Sequence, residues 1–411
     1  NIRQQLFTRI LQQNNYQTAW IGKWHLQTLP GDAFNYWMVP PDQGNYYNPD
    51  FINMQNDTVR IDGYITEIIS DLAFDWLSNK RDKDKPFCLV VGEKATHREW
   101  LPDIQDLGAY DNKTFKLPAN FYDKYQGRKA AANQDMTIDK TMRLKEDLKV
   151  HLDYNNGPYD RFNPVQKKAF VEYYDNKVTT DFDAHHYTGD SLLQWKYQRY
   201  LKDYLSVARS LDRNIGKILD YLDQNGLTEN TVVIYASDQG FYMGEHGWFD
   251  KRFMYEESFR TPFVMRYPGM IKPGTSVDNM IANIDFAPTL LDIAGVKAPA
   301  DIQGNSFLPV LKSKQNVFWR DGIYYHYYEY PEPHKVSPHF GIRTKQYKLI
   351  RFYGPADFWE LYDLKKDPNE MQNLYNRKEY ATIIVGLKKK LDSLIAKYAD
   401  TEAAEILKKK R

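Results

Sequence analysis

A mixed, mainly parallel α/β sheet flanked by helices, with a smaller C-terminal α+β subdomain, is the fold predicted by three features of the sequence. Apolar runs of strand length stop abruptly in turn residues and charge. Amphipathic stripes of helical spacing lie between those runs, and beyond residue 315 the pattern changes to short strands closed by one helix. The domains are accordingly placed at 1–315 and 316–411. A chain of 411 residues is too long for one simple core, which agrees with that division.

The elements follow in order. Asn1–Asn15 carries Leu6 and Ile10 on one stripe and predicts a short helix, and Thr18–Ile21 predicts a strand. Leu29–Asn56, rich in Pro, Gly, Asn and aromatics, reads as a long ordered loop of the kind that lines a site. Ile65, Ile68, Ile69, Leu72, Trp76 and Leu77 form one stripe, so Gly63–Asn79 returns to helix. Pro86–Val91 is a strand that holds the single cysteine, Cys88. One cysteine excludes an internal disulfide framework, and inside an apolar run it reads as a buried strand residue. Residues 102–190 show little period and are expected to wrap the sheet. His185 and His186 are adjacent, point different ways, and are not expected to ligate a metal.

Leu192–Asn225 places Val207, Leu211, Ile215, Ile218 and Leu222 on one helical stripe and leads into Thr231–Tyr235. That continuous β-branched, aliphatic and aromatic run suits a strand covered on both faces of a parallel sheet. Pro262–Tyr267 reads as a further strand, Asp285–Ala294 as a helix about Pro288, and Asn305–Leu311 closes the large domain. Gly322–Tyr330, Gly341–Thr344, Lys348–Tyr353 and Trp359–Asp363 are predicted short strands. Ile384, Leu387, Leu391, Leu394 and Ile395 make Ala381–Tyr398 a covering helix, and Lys408–Arg411 reads as a frayed end.

Composition removes several classes. With a net charge of +1 and no long basic run before the tail, nucleic acid is a poor partner. The longest apolar runs are strand-sized, so no transmembrane span is expected. The chain begins in a helical pattern without an initiator Met or a signal peptide, and is expected to be part of a larger gene product. Aromatics reach 15% and Tyr leads them, which suits sugar stacking on a rim or, equally, ordinary amphipathic packing.

Chemistry gathers at three strand ends. After Thr231–Tyr235 come Ser237, Asp238, Gln239 and Gly240, then Gly244, Glu245, His246, Gly247 and Lys251. Open α/β sheets bind ligands just beyond the carboxyl ends of their strands. Asp238 and Gln239 offer oxygens of the kind a hard cation takes, and His246 and Lys251 suit an anion beside it. A solvated Gly-rich loop is the alternative. After Thr18–Ile21 come Lys23 and His25, which face one pocket if the backbone stays extended and are otherwise a surface charge and a loop imidazole. After Pro86–Val91 come Glu93, Lys94, Thr96, His97 and Arg98, where His97 either donates a proton to a leaving oxygen or caps the loop.

Taken together, the strings NYQTAWIGKWH (Asn15–His25), EKATHREW, SDQGFYMGEHGWFDK, TPFVMRYPG and GIRTKQYKLI with ELYDLKKDPNEMQNL resemble, in order, the motifs of type I sulfatases, enzymes of alkaline-phosphatase-like fold. The resemblance spans nearly the whole chain. It implies Asp238 and Gln239 as metal ligands, for calcium, with Gln239 standing where many relatives carry Asn. It implies Lys23 and Lys251 on the sulfate oxygens, His25 beside the nucleophile, His97 as proton donor to the leaving oxygen, and His246 supporting either the loop or the substrate. The family's nucleophile is a formylglycine made in a Cys/Ser-x-Pro/Ala-x-Arg motif, and no such motif occurs in the sequence. Nor is there an N-terminal strand ending in paired Asp, and calcium takes about six to eight oxygens. The resemblance therefore implies an N-terminally truncated sulfatase, inactive as it stands, whose parent is periplasmic or secreted.

The strings are most similar to those of bacterial glycan sulfatases resembling N-acetylglucosamine-6-sulfatases. The implied substrate is a sulfated oligosaccharide of glycosaminoglycan or mucin type. Tyr46–Asn48 and Tyr327–His339, with His334 and His339, are candidate walls of its pocket. Two other readings stay open: a phosphatase or phosphodiesterase of the alkaline-phosphatase superfamily, and a non-catalytic glycan-binding relative.

Overall fold

The computed structural model describes residues 4–312 and 317–409. The expected domain boundary at 315/316, the first three residues and the last two of the tail lie outside those bounds. Contacts divide the chain into two compact units, Asn1–Phe115 with Arg143–Thr231 and Leu290–Ala300, and Lys116–Met142 with Val232–Thr289 and Asp301–Arg411.

The first unit is built on a parallel sheet. Strand β1 (Gln17–Gly22) lies between β2 (Tyr36–Met38) and β5 (Phe87–Gly92), both parallel to it. Helix α1 (Phe7–Gln13) precedes β1, and a small hairpin, β3 (Asp50–Ile52) and β4 (Thr58–Arg60), follows β2. The expected loop over Leu29–Asn56 thus contains two strands, each only three residues long, too short to leave a period in the sequence. Helix α2 (Ile65–Asp75) packs against β1, β5 and the long helix α3 (Gly189–Gln224). It buries Ile65, Ile68, Ile69 and Ala73, the face expected from its spacing. Cys88 sits inside β5, where burial pushes its thiol up to about 12, so it is an inert strand residue.

The second unit is antiparallel throughout its described strands. β6 (Val233–Ala236) pairs antiparallel with β9 (Phe263–Arg266), and β7 (Tyr242–Met243) pairs with β8 (Phe249–Asp250). This corrects the expectation for Thr231–Tyr235: among the described residues its neighbour is antiparallel, and Tyr235 is 42% exposed rather than covered. An apolar run specifies burial of some surface, but the direction of its partner is decided by a segment 30 residues away.

The C-terminal strands β10 (Gly322–Tyr327), β11 (His339–Thr344), β12 (Tyr347–Phe352) and β13 (Phe358–Asp363) form a consecutive antiparallel sheet. Alternation gives it two buried faces. Phe340, Ile342, Leu349 and Leu361 pack under Ile384, Leu387, Leu391 and Ile395 of α4 (Ala381–Lys397), the covering helix expected from the sequence. Ile350, Phe352 and Tyr362 face a cluster of Trp248, Phe253, Met254 and Tyr255 instead. That second layer rigidifies the loop carrying Lys251. His339 belongs to it: the ring is fully buried against Phe253 and Phe352, its Nδ1 donates to the Ser337 carbonyl at 2.9 Å, and burial pushes it down to about 3. It is a core histidine and not a pocket wall.

Candidate active site

In the first unit the site segments leave two adjacent parallel strands. β1 and β5 run in register to their last pair, Gly22 with Gly92, and the Lys23 amide donates to the Gly92 carbonyl at 2.6 Å. Only glycine permits that approach: Gly22 has φ +98°, and a Cβ on it would stand 2.1 Å from the Gly92 oxygen. Lys23 and Glu93 therefore emerge side by side at the carboxyl edge of the sheet, where α/β folds bind ligands.

A loop from the β2 side ties this edge together. Gln43 places its side-chain amide 3.0 and 3.1 Å from the two ring nitrogens of His25, which also lies 3.0 Å from Asp42. The Gln43 carbonyl accepts from Lys94 Nζ at 3.4 Å, and the same ammonium stands 4.9 Å above the Tyr46 ring. Tyr46 in turn donates its hydroxyl to the His97 carbonyl at 2.5 Å. His25, Lys94 and His97 are thus cross-linked through residues 42–46. Tyr46, Tyr47 and Asn48 are each 2% exposed, so they buttress the edge from within and do not line a carbohydrate pocket, a correction to the expectation drawn from their aromatic character.

The His97 ring nitrogen Nδ1 lies 2.7 Å from the Arg98 carbonyl. A carbonyl only accepts, so Nδ1 carries the proton. Arg98 is held by both oxygens of Asp147, at 2.7 and 2.6 Å, which fixes the turn. Glu93 is the residue that sequence reasoning underused. Its carboxyl is pushed well above the carboxylate range by burial, and Oε2 has no hydrogen-bond partner among the described residues. Its place directly after β5 was the available signal.

In the second unit the β6 end presents Asp238 and Gln239, the former exposed, with the Ser237 hydroxyl 3.3 Å from Asp238 Oδ1. Gly240 lies against the Glu256–Phe259 helical turn so closely that a Cβ would fall 2.1 Å from the Glu257 carbonyl. Lys251 follows β8. Burial lowers its ammonium, and the charges of Asp250 and Asp238 oppose that shift, which places the three side chains in one neighbourhood. His334 is in the same charged surroundings, 4.0 Å from Asp135, and burial lowers it.

His246 is placed differently. It is fully buried at φ +57°, among Tyr242, Trp248 and Tyr255, with Nδ1 2.7 Å from Asp123 Oδ2. A ring without exposed surface touches no substrate, so its surroundings fit the supporting role of the two expected.

Oxygen donors beside a lysine suit a hard cation in kind, but Asp238 and Gln239 are two donors, and among the described residues no three His, Cys, Asp or Glu side chains come together as a metal site.

Strand-end histidines and lysines on a parallel sheet, followed by an antiparallel sheet with a covering helix, define a hydrolase of alkaline-phosphatase-like architecture. The sulfatase family model matches residues 2–296, and the model for the N-sulphoglucosamine sulphohydrolase C-terminal region matches 244–397; the chain belongs to the sulfatase family. It is 45% identical, over 98% of its length and 74% of the relative's, to an N-acetylglucosamine-6-O-sulfatase of Bacteroides thetaiotaomicron. It is 25% identical to the N-acetylglucosamine-6-sulfatase of Bos taurus over 76% of the chain, which spans 49% of that relative. A solved structure of a protein in complex with its substrate D-glucosamine-2-N,6-O-disulfate superposes with a TM-score of 0.94 at 44% identity, covering 97% of this chain and 83% of that one. No helix among the described residues is long and apolar enough to cross a membrane.

Proposed function

We propose that this sulfatase-family chain serves the hydrolysis of a 6-O-sulfate ester on an N-acetylglucosamine or N-sulfated glucosamine unit of a glycosaminoglycan or mucin-type glycan. The observation that supports this most is the 45% identity, sustained over 98% of the chain, to an N-acetylglucosamine-6-O-sulfatase.

The residues divide the work by chemistry. Lys23 and Lys251 hold the sulfate oxygens and offset the negative charge that grows on them during transfer. His97, protonated on Nδ1 against the Arg98 carbonyl, offers Nε2 toward the sugar oxygen; when that nitrogen is also protonated it supplies the proton that a sugar alkoxide needs to leave. His25, held by Gln43 and Asp42, orients groups around the sulfur. Formylglycine would supply the family's attack on sulfur; these 411 residues hold no motif for it. Asp238 and Gln239 are proposed as two oxygen donors to calcium, with the remaining donors coming from elsewhere than the described residues. The 1–315 and 316–411 division and a periplasmic or secreted location are part of the same reading.

The test is sulfate release, by a protein that carries these residues together with the family's nucleophile, from N-acetylglucosamine 6-sulfate set beside release from 3-O- and 2-O-sulfated sugars and from a phosphate monoester. Release from the 6-sulfate alone is expected. Preference for the phosphate monoester would overturn the reading.

A further inference from the structure

A cleft of about 560 Å³ opens in the first unit and shares no residue with the strand-end group. Its size falls within the ~300–1,000 Å³ of ordinary small-molecule sites. One wall comes from the first half of α3, where Trp195, Arg199 and Lys202 recur at helical spacing and so share a face. Tyr187, Lys177 and Asp111 line the cleft as well.

The aromatic part of this cleft is braced. Trp195 and Tyr187 lie 5.9 Å apart between centroids at an interplanar angle of 32°. Phe182 packs on Trp195 at 4.6 Å, and His185 stacks on Tyr187 at 5.2 Å. Two rings supported from behind form a preorganised platform, and the apolar face of a pyranose ring is the complement of such a surface.

The charged part is built as well. Lys177 Nζ lies 2.7 Å from Asp111 Oδ2, and Lys202 Nζ donates to the Asp111 carbonyl at 3.1 Å. Arg199, its side chain only 7% exposed, stands 3.8 Å from Asp111 and pairs with Asp203, which Lys149 also holds at 3.2 Å. The cleft is lined by three cations, Lys177, Arg199 and Lys202, and two carboxylates, Asp111 and Asp181, so its lining carries one positive charge in surplus. Burial lowers the Lys202 ammonium and the Arg199 charge adds to that, while the Asp111 and Asp203 charges oppose it.

We infer that this cleft is a second glycan-binding site, which takes an anionic pyranose unit of the substrate chain on the Trp195–Tyr187 platform with its negative group toward Lys177 and Lys202. The inference rests on the glycan reading above and deepens it: the chain would hold its polysaccharide at a point separate from the bond it acts on.

The test uses the whole chain and three probes: a hexasaccharide of alternating uronic acid and 6-O-sulfated glucosamine, its de-O-sulfated form, and glucosamine 6-sulfate. Binding is read by calorimetry and by quenching of tryptophan fluorescence. Trp195→Ala and the double change Lys177→Ala with Lys202→Ala are each expected to weaken hexasaccharide binding about tenfold or more, with the double change also flattening its salt dependence. Sulfate release from glucosamine 6-sulfate, measured in a protein that carries these residues together with the family's nucleophile, should stay unchanged in both. The de-O-sulfated hexasaccharide should bind more weakly; equal affinity would overturn the anionic assignment. Should Trp195→Ala unfold the chain, the lysine pair at the cleft mouth carries the test. Hexasaccharide affinity unaltered in the cleft variants but lost in Lys251→Ala would sink the second site and leave the sulfatase reading standing. Absence of hexasaccharide binding by the unaltered chain would also sink it, and the sulfatase reading would then be judged by monosaccharide sulfate release alone.

Discussion

His246 Nδ1 sits 2.7 Å from Asp123 Oδ2, joining residues 123 positions apart, and the same carboxylate takes Arg128 through both oxygens. All three side chains are essentially without exposed surface. The pairing anchors the loop that ends in Lys251, because His246 lies five residues before it at a positive φ that nothing local favours.

Removing one partner of a buried charged group leaves the others uncompensated. Asp123→Ala is expected to destabilise the protein by about 3–5 kcal/mol, with Asp123→Asn costing less, both read from urea midpoints. Burial acts to raise the Asp123 carboxyl, but hydrogen bonds from His246 and Arg128 outweigh it and hold it down at about 2. A carboxyl held below its unfolded value contributes stability above that value. The contribution is therefore lost as pH falls from about 4 toward 2, and unfolding midpoints that stay level across that window in the unaltered protein, or decline as steeply in Asp123→Asn as in the unaltered protein, would contradict the assignment.

Glu257 titrates the other way. Its Oε2 stands 3.8 Å from His246 Nε2, beyond hydrogen-bond reach, and burial, helped by the Glu370 charge, pushes the carboxyl up to about 8. A carboxyl raised on folding opposes the native state increasingly as pH climbs from its unfolded value of about 4.5 through 8. Glu257→Gln should accordingly gain more stability at pH 8 than at pH 5. Equal gains at the two pH values would show that the carboxyl is ionised in the native state throughout.

In its proposed role His97 gives a proton to the leaving oxygen, so the weight of that role depends on how poor the leaving group is. His97→Ala is expected to lower sulfate release from a sugar sulfate by about 10²–10⁴-fold while lowering release from a nitrophenyl sulfate far less. Equal losses on both substrates would reduce His97 to a loop-capping residue.

In a protein that carries these residues together with the family's nucleophile, Lys251→Ala should leave the thermal transition nearly unchanged and lower turnover by roughly 10²-fold, the expected loss for one charged contact to the developing oxyanion. Unchanged turnover would remove it from the site. For Asp238→Ala the expected outcome is a higher calcium concentration for half-maximal activity, and an unaltered calcium requirement would strike it from the donors.

Leu391 is buried at the centre of the covering helix against the β-sheet of Phe340, Ile342, Leu349 and Leu361. Leu391→Ala should cost about 2–5 kcal/mol, measured by denaturant unfolding, with no effect on the charge neighbourhood of Lys251.

Local rules made much of this molecule legible. The stripe of Ile65, Ile68 and Ile69 and that of Ile384, Leu387 and Leu391 named the buried faces of two helices, because a period of 3.6 fixes which side chains share a side. Ordered strings placed Lys23, His25, His97, Asp238 and Gln239 in the turns after strands, and the structure has them there, whereas Lys251, expected in the same loop as Asp238, follows β8 of a hairpin that the sequence reading missed. Family membership was readable for the same reason: strand-end chemistry leaves fixed spacings in the chain. What the sequence could not determine was partnership over distance. The antiparallel neighbour of β6, the buttressing use of Tyr46, Tyr47 and Asn48, the burial of His339, and the Asp123 that captures His246 all depend on segments brought together only by folding. A residue type announces what a side chain is able to bond; only the packed chain decides whether water, a substrate or another side chain reaches it first.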